Sequence, residues 1–141
     1  MAHAAELAPR LLAALSQPRS RPIALQGRSG SGKTTLLRSL VRATQREAVW
    51  CSAFDLTTQL SDAIRKGRYE SLRAGLVRDN RPLCVEHLED LRGKPRTREE
   101  LRLLLTQAAT RRPVLLTLTR SRGAAEVVSW LRPWAQLLSL E

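Results

Sequence analysis

The sequence predicts an α/β protein built on a parallel sheet with helices on both faces. Two observations carry this. Short apolar runs suited to buried strands alternate with segments whose apolar residues recur at helical spacing, from one end of the chain to the other. The first strand-like run leads at once into Gly27-Arg28-Ser29-Gly30-Ser31-Gly32-Lys33-Thr34, a full match to the phosphate-binding pattern G-x-x-x-x-G-K-[ST]. Strand, glycine-rich loop and helix in that order define the fold class as a P-loop NTPase.

The elements follow in turn. Leu7, Leu11, Leu12 and Leu15 make an apolar stripe on a first helix, ended by Pro18. Pro22 to Gln26 is a buried strand. After the loop, Leu36, Leu37, Leu40 and Val41 mark a helix to Ala43. Ala48-Val49-Trp50-Cys51 reads as a second strand, and Phe54 to Lys66 as a helix stopped by Gly67. Tyr69 to Val77 is a further short helix. Pro82-Leu83-Cys84-Val85-Glu86 is a third strand ending in an acid. Thr97-Arg98-Glu99-Glu100 has the form of a capping box opening a helix with Leu101, Leu104, Leu105 and Ala108 on one face. Val114 to Leu118 is a fourth strand, Ala124 to Leu131 a short helix, and Ala135 to Leu140 a final apolar run that makes five strands.

In open parallel sheets ligands bind beyond the C-terminal strand ends. That rule gathers Gly27 to Thr34, Glu86 with His87, and Thr117 to Arg120 at one place. Backbone N–H groups of the loop can cradle phosphate oxygens, helped by the positive N-terminus of the helix. In this pattern Lys33 reaches the β- and γ-phosphates and the Thr34 hydroxyl holds Mg²⁺. The expected nucleotide-binding set is Gly27, Arg28, Ser29, Gly30, Ser31, Gly32, Lys33, Thr34 and Thr35. Thr34 and Glu86 are the metal candidates, and Glu86, His87 and Thr119 the catalytic ones.

With 141 residues the chain is long enough for one domain, 1–141, with a substantial core. No apolar stretch is long enough to span a membrane, and the N-terminus lacks the basic flank and apolar centre of a signal peptide, so a cytoplasmic protein is expected. Cys51 and Cys84 sit in strand-like runs with no C-x-x-C spacing, the pattern of buried reduced thiols rather than a zinc site. A net charge of +11 suggests an anionic partner. Arginine dominates that charge, since Lys33, Lys66 and Lys94 are the only lysines. The excess also lies outside the middle of the chain, where residues 51–100 hold ten basic and nine acidic groups.

The chain resembles the AAA+ ATPase core of the bacterial replication initiator family, DnaA, and its short relatives. The likeness lies in Ala2 to Ala8, similar to the family's N-terminal linker helix that packs by the adenine. It continues in the helical excursion from Asp62 to Arg73, similar to the pair of helices that grips single-stranded DNA. It is most specific in Leu83-Cys84-Val85-Glu86-His87-Leu88-Glu89-Asp90-Leu91 running into Gly93-Lys94-Pro95-Arg96-Thr97-Arg98-Glu99-Glu100. There are departures. His87 takes the place of the second of two adjacent acids, the one that orients the attacking water. Thr119 stands where the family carries an acid, and Trp134 where it carries an arginine finger, with Arg132 out of register. The chain reaches Glu141 without the family's helical lid or its duplex-reading domain.

The resemblance implies an Mg-ATP-binding module with weak or lost hydrolysis. It would act as a regulatory or assembly factor in DNA replication or another DNA transaction, with ATP and ADP, a protein partner or self-assembly, and weak single-stranded DNA binding. Absence of a guanine-reading N-K-x-D pattern agrees with ATP. The alternatives are an active P-loop ATPase, a small-molecule or nucleotide kinase, and a structural interaction domain. For Trp130 and Trp134 two readings stay open: an exposed partner-binding pair, or side chains packing the chain end onto the sheet.

Overall fold

Five strands, β1 (Ile23–Gly27), β2 (Val49–Ser52), β3 (Leu83–Glu86), β4 (Val114–Thr119) and β5 (Gln136–Leu140), pair as one parallel sheet in the order β2-β3-β4-β1-β5. The computed structural model describes residues 3–16 and 21–140. Pro18, expected to end the first helix, and Met1 and Ala2 lie outside that range.

Side chains alternate across the sheet, as the two-residue period of a strand requires. Ala24, Leu83, Val85, Val114, Leu116 and Leu118 enter one core layer, and Ile23, Leu25, Cys84, Leu115 and Leu138 the other. On the second face lie α1 (Ala4–Ser16) and α2 (Lys33–Ala43). Leu7, Leu11 and Leu15 of α1 are buried against Leu37, Leu40 and Val41 of α2, so the expected leucine stripe is the packing face. On the first face α3 (Ala53–Arg65), α5 (Pro95–Ala108) and α6 (Ala124–Leu131) bury Leu56, Leu101, Leu105, Val127 and Leu131. The remaining helix, α4 (Tyr69–Arg78), buries no residue and packs outside α3 and α5. Each fully buried Leu contributes about 1.5–3 kcal/mol, so these two layers hold the strand ends in place.

Local chemistry sets most boundaries. Ser52 caps α3 by accepting a hydrogen bond from the Asp55 N–H at 3.0 Å. Gly67 follows that helix with φ +69°, a value glycine adopts without strain. One expectation is corrected. Thr97 does not cap a helix: α5 begins at Pro95 with Lys94 before it, which puts Thr97 inside the first turn. Proline has its φ already near the helical value and no N–H to leave unpaired, so it starts the helix three residues early. Glu99, within that turn, pairs with Arg102 one turn on.

The 3₁₀ turn Leu88–Leu91 after β3 is laced to the first-face helices. Arg98 donates to the Leu91 carbonyl at 3.0 Å and pairs with Glu126 of α6, while Glu126 also accepts from the Gly93 N–H at 2.7 Å. These bonds hold the Glu126 carboxyl below its ordinary pKa, the Gly93 N–H being the larger cause. Trp134 is buried and meets half-buried Trp130 edge-on at 4.9 Å between ring centres, which favours packing onto the sheet over an exposed pair. Cys51 stands opposite Val85, and Cys84 opposite Trp50, so the two thiols lie on opposite faces and both are free.

Candidate functional site

The register decides which side chains meet. Gly27, the last residue of β1, lies opposite Thr119, the last of β4. The Arg120 N–H donates to the Gly27 carbonyl at 2.8 Å, tying the β4 end to the start of the glycine-rich loop. Gly27 is needed for space: a Cβ there would stand 2.7 Å from Ser31 Oγ and 2.8 Å from the Leu140 carbonyl oxygen. Gly30 and Gly32 turn the loop with φ of +77° and +90°, the left-handed region where a side chain is strained.

Past Gly32 the chain enters α2, whose first residue is Lys33. Its side chain is buried and curls back, donating to the carbonyls of Gly27 at 3.0 Å and Arg28 at 2.8 Å. Burial lowers the lysine's pKa from its ordinary value, and the field of Glu89 pulls it partly back up. The next residue, Thr34, donates its hydroxyl to Glu86 Oε1 at 3.0 Å. A hydroxyl and a carboxylate contributed by the loop and by the next strand end but one are thus in contact, although 52 residues separate them.

His87, Thr117 and Thr119 complete the wall. Together with Ser29, Gly30, Gly32, Lys33, Thr34 and Thr35 they line a hollow of about 250 Å³. His87 has a left-handed backbone (φ +63°, ψ +50°), and its N–H donates to Thr117 Oγ1 at 3.2 Å. Such a conformation costs a non-glycine residue about 1–2 kcal/mol. Its Nδ1 lies 3.3 Å from Glu89 Oε2. A larger groove of about 520 Å³ lies elsewhere, between α3 and the start of α5, with exposed Phe54 on its wall.

The candidate residues Gly27 to Thr35, Glu86, His87 and Thr119 therefore converge, Arg28 through its carbonyl. Glu89 is the residue that sequence reasoning missed. The 3₁₀ turn swings it under the end of β4, where one oxygen accepts from the Thr119 N–H at 2.9 Å and the other faces His87. The available signal was a second acid three residues after Glu86; nothing local said that the turn would return it to the site.

The fit of a magnesium–nucleotide to these residues can be tested on three details. Ser31 Oγ is buried in the loop with no protein partner, an acceptor and donor left for a ligand. A Cβ built at Gly30 or Gly32 would meet nothing within 4 Å, so the space beside these left-handed glycines is open. Thr34 and Glu86 offer hard oxygen ligands, the kind Mg²⁺ takes. The donor set fits.

Sheet order, loop and convergent strand ends define a P-loop α/β protein. The family model described as the bacterial DnaA ATPase domain matches residues 1–126, and the chain belongs to that family. Among solved structures it is similar to AMPPCP-bound DnaA from Aquifex aeolicus, at 23% identity over 100% of this chain and 47% of that one, with a TM-score of 0.74. A replication initiator DnaA bound to AMPPCP and single-stranded DNA gives 22%, 96% and 44%, with a TM-score of 0.70. The DnaC helicase loader gives 15%, 96% and 87%, also at 0.70. The chain thus spans less than half of these two DnaA chains. Comparison with curated proteins returns no match.

Proposed function

We propose that this chain is an Mg-ATP and ADP binding module with slow or lost hydrolysis, serving as a regulatory or assembly factor in DNA replication or another DNA transaction. The observation that carries the reading is the contact of Thr34 with Glu86 at the mouth of a loop that already holds Lys33. When bound, Mg-ATP supplies a γ-phosphate with high negative charge and a metal that polarises it. Gly30, Ser31 and Gly32 shape the phosphate cradle, Lys33 offers its ammonium to the phosphates, and Thr34 and Glu86 hold the cation.

Slow turnover is argued from what surrounds that cradle. An imidazole at His87 accepts or donates a hydrogen bond but brings no fixed negative charge for orienting water. Thr119 has its N–H committed to Glu89. Trp134 is buried and uncharged, so it offers nothing to a neighbouring subunit's nucleotide. A DnaA bound to nucleotide and single-stranded DNA and a helicase loader are among the structures of this fold, which is what links the reading to replication.

Glu89 favours a second reading, an active ATPase in which this acid does the work of the missing one. Phosphate release separates the two. On the first reading wild-type turnover is slow, His87→Asp raises it, and Glu89→Gln changes it little. Wild-type turnover at ordinary ATPase rates that collapses in Glu89→Gln would establish the second.

A further inference from the structure

Strand β2 is an edge of the sheet, with β3 on one side and no strand on the other. It bonds to β3 through alternate residues. The Val49 N–H donates to the Pro82 carbonyl at 2.8 Å, and in the register of the pair Val49 stands opposite Leu83 and Cys51 opposite Val85. Trp50 lies between the two bonded residues, so its own N–H and carbonyl point away from β3, to the open edge. Val49-Trp50-Cys51-Ser52 carries neither a charge nor a proline to blunt that edge.

Beside the edge is a hollow of about 220 Å³, lined by Arg38, Val41, Arg42, Arg46, Ala48 and Trp50. Its three arginines are positioned. The Arg38 guanidinium lies over the Trp50 ring, 4.4 Å from its centre. Arg42 stands exposed one helical turn further along α2. Arg46 donates to the carbonyls of Leu15 at 2.8 Å and Asn80 at 2.6 Å, which fixes its charge at the far end of the hollow. On α3 and α4, Arg65 pairs with Asp62 at 2.6 Å and Arg73 with Glu70 at 2.9 Å. None of the three arginines of the hollow belongs to an ion pair among the described residues. The only acid between residues 33 and 50 is Glu47, whose field is felt by Arg81.

We infer that the open edge of β2 and this hollow form one docking site, which takes an extended acidic segment of a partner protein as a further strand of the sheet. Two independent features select that occupant. A polypeptide backbone carries the N–H and carbonyl groups that pair with the outward groups of Trp50, and a polynucleotide backbone has no such ladder. Side chains of an extended strand alternate between faces, so acids at every second position project towards α2 about 6.6 Å apart. Arg38 and Arg42 repeat at close to the same interval, about 6 Å along the helix axis. Each acid then meets a guanidinium whose fork matches its two carboxylate oxygens. Like charges four apart on a helix repel one another, and docked carboxylates relieve that repulsion. Arg42 lies about 14 Å along α2 from Lys33, given 1.5 Å of rise per residue, so this surface is distinct from the phosphate loop.

The test is fluorescence anisotropy of a labelled eight-residue peptide that alternates glutamate with valine or threonine, titrated with the full chain at low salt. Saturable binding is expected, weakening as salt screens the ion pairs. Arg38→Glu/Arg42→Glu should lower affinity roughly tenfold or more. Arg122→Glu/Arg132→Glu, an equal change of charge at exposed positions after β4 and before β5, should alter it little. Arg42→Gln alone, at an exposed position, guards against a folding defect: affinity should fall about threefold with an unchanged melting curve. Two further peptides, N-methylated on the odd or on the even backbone nitrogens, separate strand addition from charge attraction. Only one set of nitrogens faces β2, so one version should lose roughly tenfold or more and the other should bind close to the parent. No wild-type binding at the lowest salt overturns the proposal, as does equal affinity for the two methylated peptides. Equal losses in the Arg38/Arg42 and Arg122/Arg132 variants overturn it as well. Oligothymidylate that binds more tightly than the peptide, and is released by Arg38→Glu/Arg42→Glu, would assign the hollow to nucleic acid and overturn it too. Neither Arg38 nor Arg42 belongs to the loop, so Mg-ATP affinity of their variants should equal wild type. The docking site can therefore fail while the nucleotide reading stands, and the reverse.

Discussion

Gly27→Ala and Gly75→Ala should change stability in opposite directions, though both add one methyl group. At Gly27 the new Cβ meets Ser31 Oγ at 2.7 Å and the Leu140 carbonyl oxygen at 2.8 Å. The serine can rotate, but the carbonyl belongs to the backbone of β5, paired with β1 at that register. The strands must part by several tenths of an ångström. Overpacking of this kind costs about 1–3 kcal/mol, which for a domain of this size lowers Tm by roughly 5–10 °C. Gly75 lies inside α4 with nothing within 4 Å of an added Cβ. There alanine restricts the unfolded chain and favours the helix, raising stability by about 0.5–1 kcal/mol. Thermal and urea denaturation of both variants measures the difference. Two variants of equal stability, or a Gly27→Ala no weaker than wild type, would refute the reasoning.

Two further outcomes are expected. Glu89→Ala strips the acceptor from the Thr119 N–H and should cost about 1 kcal/mol or somewhat more, whereas Glu89→Gln keeps an acceptor oxygen and should cost much less; urea midpoints of the pair decide this, and equal losses would count against the bond. Burial, the largest cause in each case, raises the thiol of Cys51 to about 11 and that of Cys84 to about 12, from a usual value near 9. The folded state then holds protons that the unfolded chain releases, so the stabilisation is complete below pH 9 and is lost as pH rises towards 11 and 12. Alkylation at pH 8 should accordingly leave buried Cys84 unlabelled and half-buried Cys51 slow to react in the native protein, and label both in urea; rapid native labelling of Cys84 would contradict its burial.

The architecture was legible because it rests on local chemistry. Glycine spacing, the Lys33-Thr34 pair and strand-length apolar runs act within a few residues, and α6 has the bounds its apolar pattern predicts. What escaped depends on contacts across the fold. Glu89 reaches the Thr119 N–H 30 residues away only because a 3₁₀ turn follows β3. Arg98 was read as part of a cap and is instead a buried tie to Glu126 of α6. A misplaced cap arose where two signals competed, and Pro95 won over Thr97. Charge was the least legible of all. Net composition counts cations, whereas the side-chain pairs on α3 and α4 decide which of them remain available.

Nucleotide binding by the loop is the central claim, and isothermal calorimetry of Mg-ATP against wild type and Lys33→Ala tests it most directly. The account predicts saturable one-to-one binding to wild type that requires Mg²⁺ and vanishes in Lys33→Ala, because the loop then lacks its only buried ammonium. Equal affinity of the two proteins, or no binding to a folded wild type, would contradict it.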